Sequence, residues 1–380
     1  MKVTQIKDLV NNTLKQMDGT SVLLKDDLSN VVDVGNSIIN TENVDNYVKK
    51  LVDRIGSVVM NGRVYQGSVP SILMTSWEFG SILEKIDMDL PQAQETDDWN
   101  LSDGQSYDPN IFYQPKVTAQ FFNSKVTFTI PISFTNRQVT ESFASATDLN
   151  SFLSMIQSKV TSSMNISISN LVKKTINNMT ANVLTSGTPW QKVNLLYYYN
   201  KQTGSKLTVA NALTTPDFIR FVNLVINTTQ NRLAEISTLF NTGRKERFTP
   251  LTEQHLVMLS DLASASKVYL EATTINEDNV KIANSYDTVP FWQGSGTSYD
   301  FTDTSAIDVA IKADSTTKEV KQGGILAVLF DQQAVGVACS NQRTTTNTNA
   351  RAEFYTNFNK YDAGYFNDLN ENYIVFYIAE

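Results

Sequence analysis

The stretch LNSFLSMIQSKVTSSMNISISNLVKKTINNMTANV, residues 149–183, decides how the rest of the chain is read. Its apolar residues are Leu149, Phe152, Leu153, Ile156, Val160, Met164, Ile168, Leu171, Val172, Ile176, Met179 and Val183. They recur in steps of three and four, the period of one helix face, and no Gly or Pro interrupts them. Thr147 and Asp148 offer N-cap chemistry just before the run, and Gly187 and Pro189 punctuate its far side. At 1.5 Å per residue such a helix is roughly 52 Å long. A compact body of 380 residues has a radius of gyration of about 21 Å. The stretch is therefore either a long core helix or a spine with different layers packed along it.

Upstream of it, residues 4–17 place Ile6, Leu9, Val10, Leu14 and Met17 on one helical face. Residues 18–40 lose that period and read as an extended arm. A second helix starts near Thr41, uses Val44, Tyr47, Val48, Leu51, Val52 and Ile55, and stops at Gly56. Ser57–Met60 reads as a strand. From Asn61 to Pro115 short apolar clusters are separated by Gly and Pro. The same stretch carries an acidic tract: Glu84, Asp87, Asp89, Glu95, Asp97, Asp98, Asp103 and Asp108, opposed only by Lys85. Lengths of this kind without a helical period are mostly functional loops or two-stranded extensions. Lys116–Phe134 is strongly β, with Asn123-Ser124 as a turn. Pro131 in that run points to a sheet edge or a bulge.

Downstream, Gln191–Tyr199 reads as a strand, and Thr215-Pro216 opens a helix that carries Phe218 through Leu239 and ends before Gly243. His255–Leu259 and Ile325–Phe330 read as buried strands, with a small helix from Asp261 to Leu270 after the first. Residues 284–304 are turn-rich. The tail holds two aromatic-rich strands, Arg351–Phe358 and Tyr373–Ala379. Strands and helices follow no repeating βαβ order, so the fold class is α+β.

Composition narrows the function. Hydrophobic residues make up 41% and charged residues 18%, as in a folded protein. The net charge of −8 argues against tight duplex binding, which draws on Lys and Arg at phosphates. No apolar run is long enough to span a bilayer and the start carries no secretory pattern, so a soluble chain made in a reducing compartment is expected. Cys339 is the only cysteine and His255 the only histidine, which removes intrachain disulfides, multi-thiolate zinc and any site with two His ligands. His255 opens a strand and reads as structural. Gly294-Ser295-Gly296-Thr297-Ser298 lacks the Lys of a phosphate loop and the third Gly of a dinucleotide fingerprint. Asp98–Asp103 begins like a calcium loop, but Asp103 stands where Gly is needed and Pro109 where Glu is needed. No cofactor or metal is expected. A carboxylate pair set by the fold stays open. The acidic tract is either a solvated face or a charged arm laid on basic residues such as Lys173-Lys174, Arg244-Lys245 or Arg247.

The order of parts resembles the major capsid proteins of tailed bacteriophages, the Hong Kong 97 type of shell fold. Locally, Leu51-Val52-Asp53-Arg54-Ile55-Gly56-Ser57-Val58-Val59 is similar to the helix-to-strand passage into the extended loop of the phi 29 type. The resemblance implies an N-terminal arm (1–43), a helix and strand entering the loop (44–60) and an extended loop (61–115). It further implies a peripheral domain with the spine helix (116–189 and 341–380) and an apical domain (190–340). It implies a non-enzymatic subunit of an icosahedral head enclosing double-stranded DNA, built from pentamers and hexamers in the host bacterial cytoplasm. A scaffolding protein and a portal would be partners, DNA would be touched only weakly, and no membrane would be involved. On this reading the eight carboxylates are contacts between subunits, and Phe152, Ile156, Val160, Ile168 and Leu171 pack the spine. An encapsulin-like nanocompartment shares the expected fold, and a carboxylate-dependent enzyme is the alternative of another class.

Overall fold

The structure is a computed structural model. It describes residues 83–88, 116–135, 145–271, 286–293, 304–313, 316–349 and 351–380. It also describes short pieces at 7, 10–11, 14, 23–25, 29–34, 69, 72–73, 90–91, 103–104, 110, 112, 114, 137–138 and 141. The expected helix 41–56, the strand 57–60, residues 294–298 and most of 61–115 lie outside the described residues.

The quoted stretch is one helix, α1, Ala146–Ser186, 41 residues and about 62 Å long. Its N-cap is Ser145, upstream of the Thr147-Asp148 pair expected to do that work. The Ser145 hydroxyl accepts from Asp148 N (3.1 Å) and donates to Asp148 Oδ2 (2.6 Å), a reciprocal cap that satisfies one orphan amide. At the far end Gly187 N donates to Val183 O at 2.7 Å. A Cβ on Gly187 would meet that same oxygen at 2.4 Å, so no other residue closes the helix there.

Two compact units share the chain. The first takes residues 1–80, 125–172 and 337–364; the second takes 81–124, 173–336 and 365–380. The first unit holds a three-stranded sheet ordered β10-β11-β3, from β3 (Lys125–Thr135), β10 (Val335–Asn349) and β11 (Phe354–Asn367). β3 and β11 run antiparallel from Thr135↔Phe354 to Lys125↔Gly364. Pro131 is tolerated because β3 is an edge strand, as its missing donor requires. Phe134 meets Phe152 of α1 edge-on at 5.6 Å, and Ile156, Val160, Met164 and Ile168 continue the buried face. Near the N-terminus Val10 and Leu14 are buried, and Asn11 pairs with Leu24 through both its N–H and its C=O.

The second unit is built on a five-stranded mixed sheet ordered β4-β12-β9-β5-β6. Its strands are β4 (Lys192–Asn194), β5 (Gln254–Leu259), β6 (Asp287–Val289), β9 (Ile325–Asp331) and β12 (Tyr373–Tyr377). Helices α2 (Leu195–Thr203), α3 (Val209–Ala212), α4 (Pro216–Leu233) and α5 (Ser260–Glu271) belong to it, as do the hairpin β7 (Ile307–Ala313)–β8 (Thr316–Gln322) and the ribbon β1 (Leu83–Met88)–β2 (Val117–Phe122). The core joins Phe218, Ile219, Val222 and Ile226 of α4 to Leu256, Met258, Leu329, Ile374 and Phe376 of the sheet. The α1 residues of this unit are buried nearly all round, and their polar groups are used. Thr180 and Tyr373 hydroxyls pair at 2.9 Å, and Asn177 Nδ2 donates to Trp292 O at 2.8 Å.

Four expectations are corrected here. Gln191–Tyr199 is not one strand, because Asn194 accepts from Tyr197 N and turns Leu195–Thr203 into a helix closed by left-handed Gly204. Local capping outweighs the β-preference of the Leu-Leu-Tyr-Tyr-Tyr run. The helix after Pro216 ends at Leu233, since Ser237 pairs with Arg247 and draws the following chain into a loop. Asn123-Ser124 does separate two strands, but they pair apart, β2 with β1 and β3 with β11. The tail likewise divides near Tyr365, and β12 lies between β9 and β4, away from β11. β12 is buried from Tyr373 to Phe376, has β4 and β9 on its two edges, and sends Ile374 and Phe376 into the core shared with α4.

Candidate functional site

The chemistry-bearing residues converge where the ribbon meets the body of the second unit. In β1 the side chains alternate, with Lys85 and Asp87 half-buried and Glu84, Ile86 and Met88 exposed. Lys85 Nζ pairs with Glu371 and with Asp368 Oδ2 (2.9 Å), both in the β11–β12 turn. Arg247 donates to Asp87 Oδ2, and its Nε lies 3.2 Å from Glu371, a Coulombic contact without hydrogen-bond alignment. Gln120 of β2 faces Asp368, and its amide satisfies both Asp368 oxygens at 3.1 Å when its nitrogen is assigned to that side. Phe122 rests against Phe366 at 5.2 Å. Asp368 is 2% exposed and Glu371 5% exposed. Burial pushes the Glu371 carboxyl above its ordinary range, while Lys85 and Arg247 pull it back. Two cations and three carboxylates thus pin the inner face of the ribbon.

The outer face is the reverse of what solvent favours. Ile86 is 66% exposed, Met88 51%, Val117 57% and Phe121 62%. The register Glu84↔Phe121, Ile86↔Ala119, Met88↔Val117 puts them on one side. Leu90 and Phe112 beyond the strands are also exposed. A ribbon with its charges inside and its apolar groups outside has the patterning of a docking surface.

The predicted carboxylates fare differently. Asp87 is spent on Arg247 of its own chain; Glu84 is exposed at the edge of the apolar face; Asp103 is exposed in a turn with Gly104. Asp89, Glu95, Asp97, Asp98 and Asp108 lie outside the described residues. Of the expected basic partners, Lys173 is buried, its ammonium 4.1 Å from the Phe291 ring centroid, and burial lowers its pKa. Lys174 and Arg244 are exposed. Of the spine residues, Ile156, Val160, Ile168 and Leu171 are buried, and Phe152 is half-buried against Phe134. Sequence reading missed Asp368, Glu371 and Arg247 as one cluster. Its members are more than a hundred residues apart from Lys85, so no local pattern announces them.

Among the described residues no three His, Cys, Asp or Glu side chains are grouped to hold a metal ion. His255 sits inside the sheet opposite Phe330, its ring 5.8 Å away, and burial lowers its pKa. Burial pushes the Cys339 thiol up to about 11. The thiolate fraction at pH 8 should therefore be about a hundredfold below that of a free thiol. Alkylation at pH 8 is expected to be slow in the native protein and to reach the free-thiol rate in denaturant. Equal rates in both would show that the half-buried surroundings of Cys339 do not suppress its thiolate. No helix of the described residues is long and apolar enough to cross a membrane.

The family of Phi29-like phage major capsid protein matches residues 7–377. No curated protein matches the chain. Among solved structures, the capsid of Staphylococcus phage Andhra superposes with a TM-score of 0.55 at 11% identity, over 84% of this chain and 86% of that one. A chain from the structure of the head fiber and inner core protein gp22 of native bacteriophage P68 gives 0.52 at 9% identity, over 84% and 86%.

Proposed function

This chain belongs to the Phi29-like phage major capsid protein family, and from that premise we propose that its β1–β2 ribbon crosses to a neighbouring copy in the shell. The protein is a structural subunit of a tailed-phage virion capsid with the Hong Kong 97 type of fold, and it is not an enzyme. Neither a nanocompartment nor a carboxylate enzyme has support. The single observation that carries the ribbon's role is its inverted face: Ile86, Met88, Val117 and Phe121 are exposed while Lys85 and Asp87 are paired inside. A shell subunit needs self-contact beyond its own core, and an apolar ribbon held at a fixed angle provides it.

The finer reading follows from the same premise. The copies form pentamers and hexamers of an icosahedral head around double-stranded DNA, assembled in the bacterial cytoplasm with a scaffolding protein and a portal. A net charge of −8 suits a wall that touches its DNA without gripping it. The arm (1–43), entering segment (44–60), extended loop (61–115), peripheral domain (116–189 and 341–380) and apical domain (190–340) keep their proposed roles.

The test is the double substitution Ile86→Asp with Phe121→Asp, co-expressed with the phage's accessory proteins. Because both side chains are exposed, the melting temperature should stay within a degree or two. Shell yield by sedimentation and negative-stain microscopy should fall more than tenfold. Normal shells from this variant would refute the ribbon contact.

A further inference from the structure

The second unit contains a cleft of about 720 Å³ at the end of α1, between β4, α2 and β8. Its walls carry Lys192, Lys318 and Lys321 with one carboxylate, Glu319, beside Tyr197 and Tyr198. Tyr197 is 55% exposed and Tyr198 46% exposed, their rings packed edge to face at 5.6 Å. Lys321 is already bridged to Asp308 (3.1 Å) and Glu319 (3.3 Å). Lys192 and Lys318 have no carboxylate partner among the described residues. On a chain of net charge −8, this cleft brings three lysines beside two exposed tyrosines.

The sequence supplies a segment of matching chemistry. Glu95-Thr96-Asp97-Asp98-Trp99-Asn100-Leu101-Ser102-Asp103 carries four carboxylates and a tryptophan. It belongs to the 28 residues, 89–116, that join β1 to β2. Half of that connection, fully extended, reaches about 45 Å, far enough to leave its own subunit. The basic residues first expected to receive these carboxylates are in part spent: Arg247 on Asp87 and Glu371, and Lys173 in the core.

We propose that the cleft between Lys192, Lys318, Tyr197 and Tyr198 of one copy receives segment 95–103 of a second copy. Lys192 and Lys318 meet its carboxylates, and the tyrosine rings offer flat apolar surface to Trp99. This rests on the reading that the loop crosses between copies, and it names the surface the loop reaches.

Two chains test it, both full-length and expressed with the phage's accessory proteins. One carries Lys192→Glu and Lys318→Glu; the other carries Glu95→Lys, Asp97→Lys and Asp98→Lys. Each alone should lose shell yield at least tenfold with an unchanged melting curve. Co-expressed, they should recover hexamers in which the two chains alternate, because each chain's loop then finds an oppositely charged cleft on its neighbour; a five-membered ring cannot alternate, so closed shells are not expected from the pair. A chain carrying all five changes should also assemble. If the combined chain assembles and the mixed pair forms no alternating hexamers, the segment sits on its own copy and the proposal is overturned. If neither rescue works, the cleft serves a different occupant, such as a nucleic-acid backbone, and the proposal is overturned as well. Normal shells from either reversed chain overturn it too. Loss of shells in the Ile86 and Phe121 variant with intact shells here would leave the ribbon reading standing and remove only this contact.

Discussion

Ile168→Asp is expected to abolish cooperative folding. Ile168 is 3% exposed on α1, in the buried row that runs from Ile156 through Val172. An uncompensated buried charge costs about 3–5 kcal/mol. A domain's whole stability is about 5–15 kcal/mol, so the loss takes from about a fifth of it to all of it. Ile166→Asp is the internal control. It lies two residues earlier on the same helix, is 58% exposed, and should shift stability by about 0.5 kcal/mol or less. Thermal unfolding followed by circular dichroism reads both. Equal melting curves would show that the Ile168 face of the spine is not packed.

Lys85→Met is expected to be the second largest loss, about 3 kcal/mol, and to free the ribbon. It leaves Asp368 and Glu371, both almost fully buried, with Arg247 as their remaining cation. Removing one partner of a buried ion pair is costly because the other charge stays behind. Lys85 itself is about one-fifth exposed, so solvent relieves part of the cost. Lys85→Arg should restore most of the stability by keeping the charge. The loss should also depend on pH with a definite sign. Burial raises the Glu371 pKa above its ordinary value of 4.5, and without Lys85 that rise is less opposed. A carboxyl with a raised folded pKa contributes stability below the unfolded value and loses it as pH rises through the folded value. The Lys85→Met defect should therefore be greatest near neutral pH and shrink as pH falls toward 4.5. Hydrogen exchange should quicken at residues 83–88 and 117–122. A variant as stable as the parent at pH 7, with unchanged exchange, would show that the cluster does not hold the ribbon.

Legibility varied with the range of the interactions. α1 could be read because its cause is local: a 3.6-residue apolar period, no breaker, and punctuation at Gly187. Its cap was misplaced by two residues because Ser145, Thr147 and Asp148 are all competent, and only the backbone geometry selects one. The Leu195–Tyr199 run was misread because its aromatic content favours a strand while a single Asn cap and a Gly stop favour a helix. The acidic tract was visible as composition, but its partners were not. Asp87 pairs 160 residues away with Arg247, and Lys85 pairs 286 residues away with Glu371.

The amino-acid order alone determined the α+β class, the continuous spine helix, the want of catalytic signatures and the likeness to tailed-phage shell proteins. Each of these is written in periodicity, in counts such as one His and one Cys, or in the succession of parts. Only the tertiary structure decided which way the ribbon faces. Alternation along β1 gives Ile86 and Met88 one side and Lys85 and Asp87 the other, and a lone ribbon would turn its charges to water. It turns them inward because Asp368, Glu371 and Arg247, brought together by folding, bind them there. The apolar side is then left exposed.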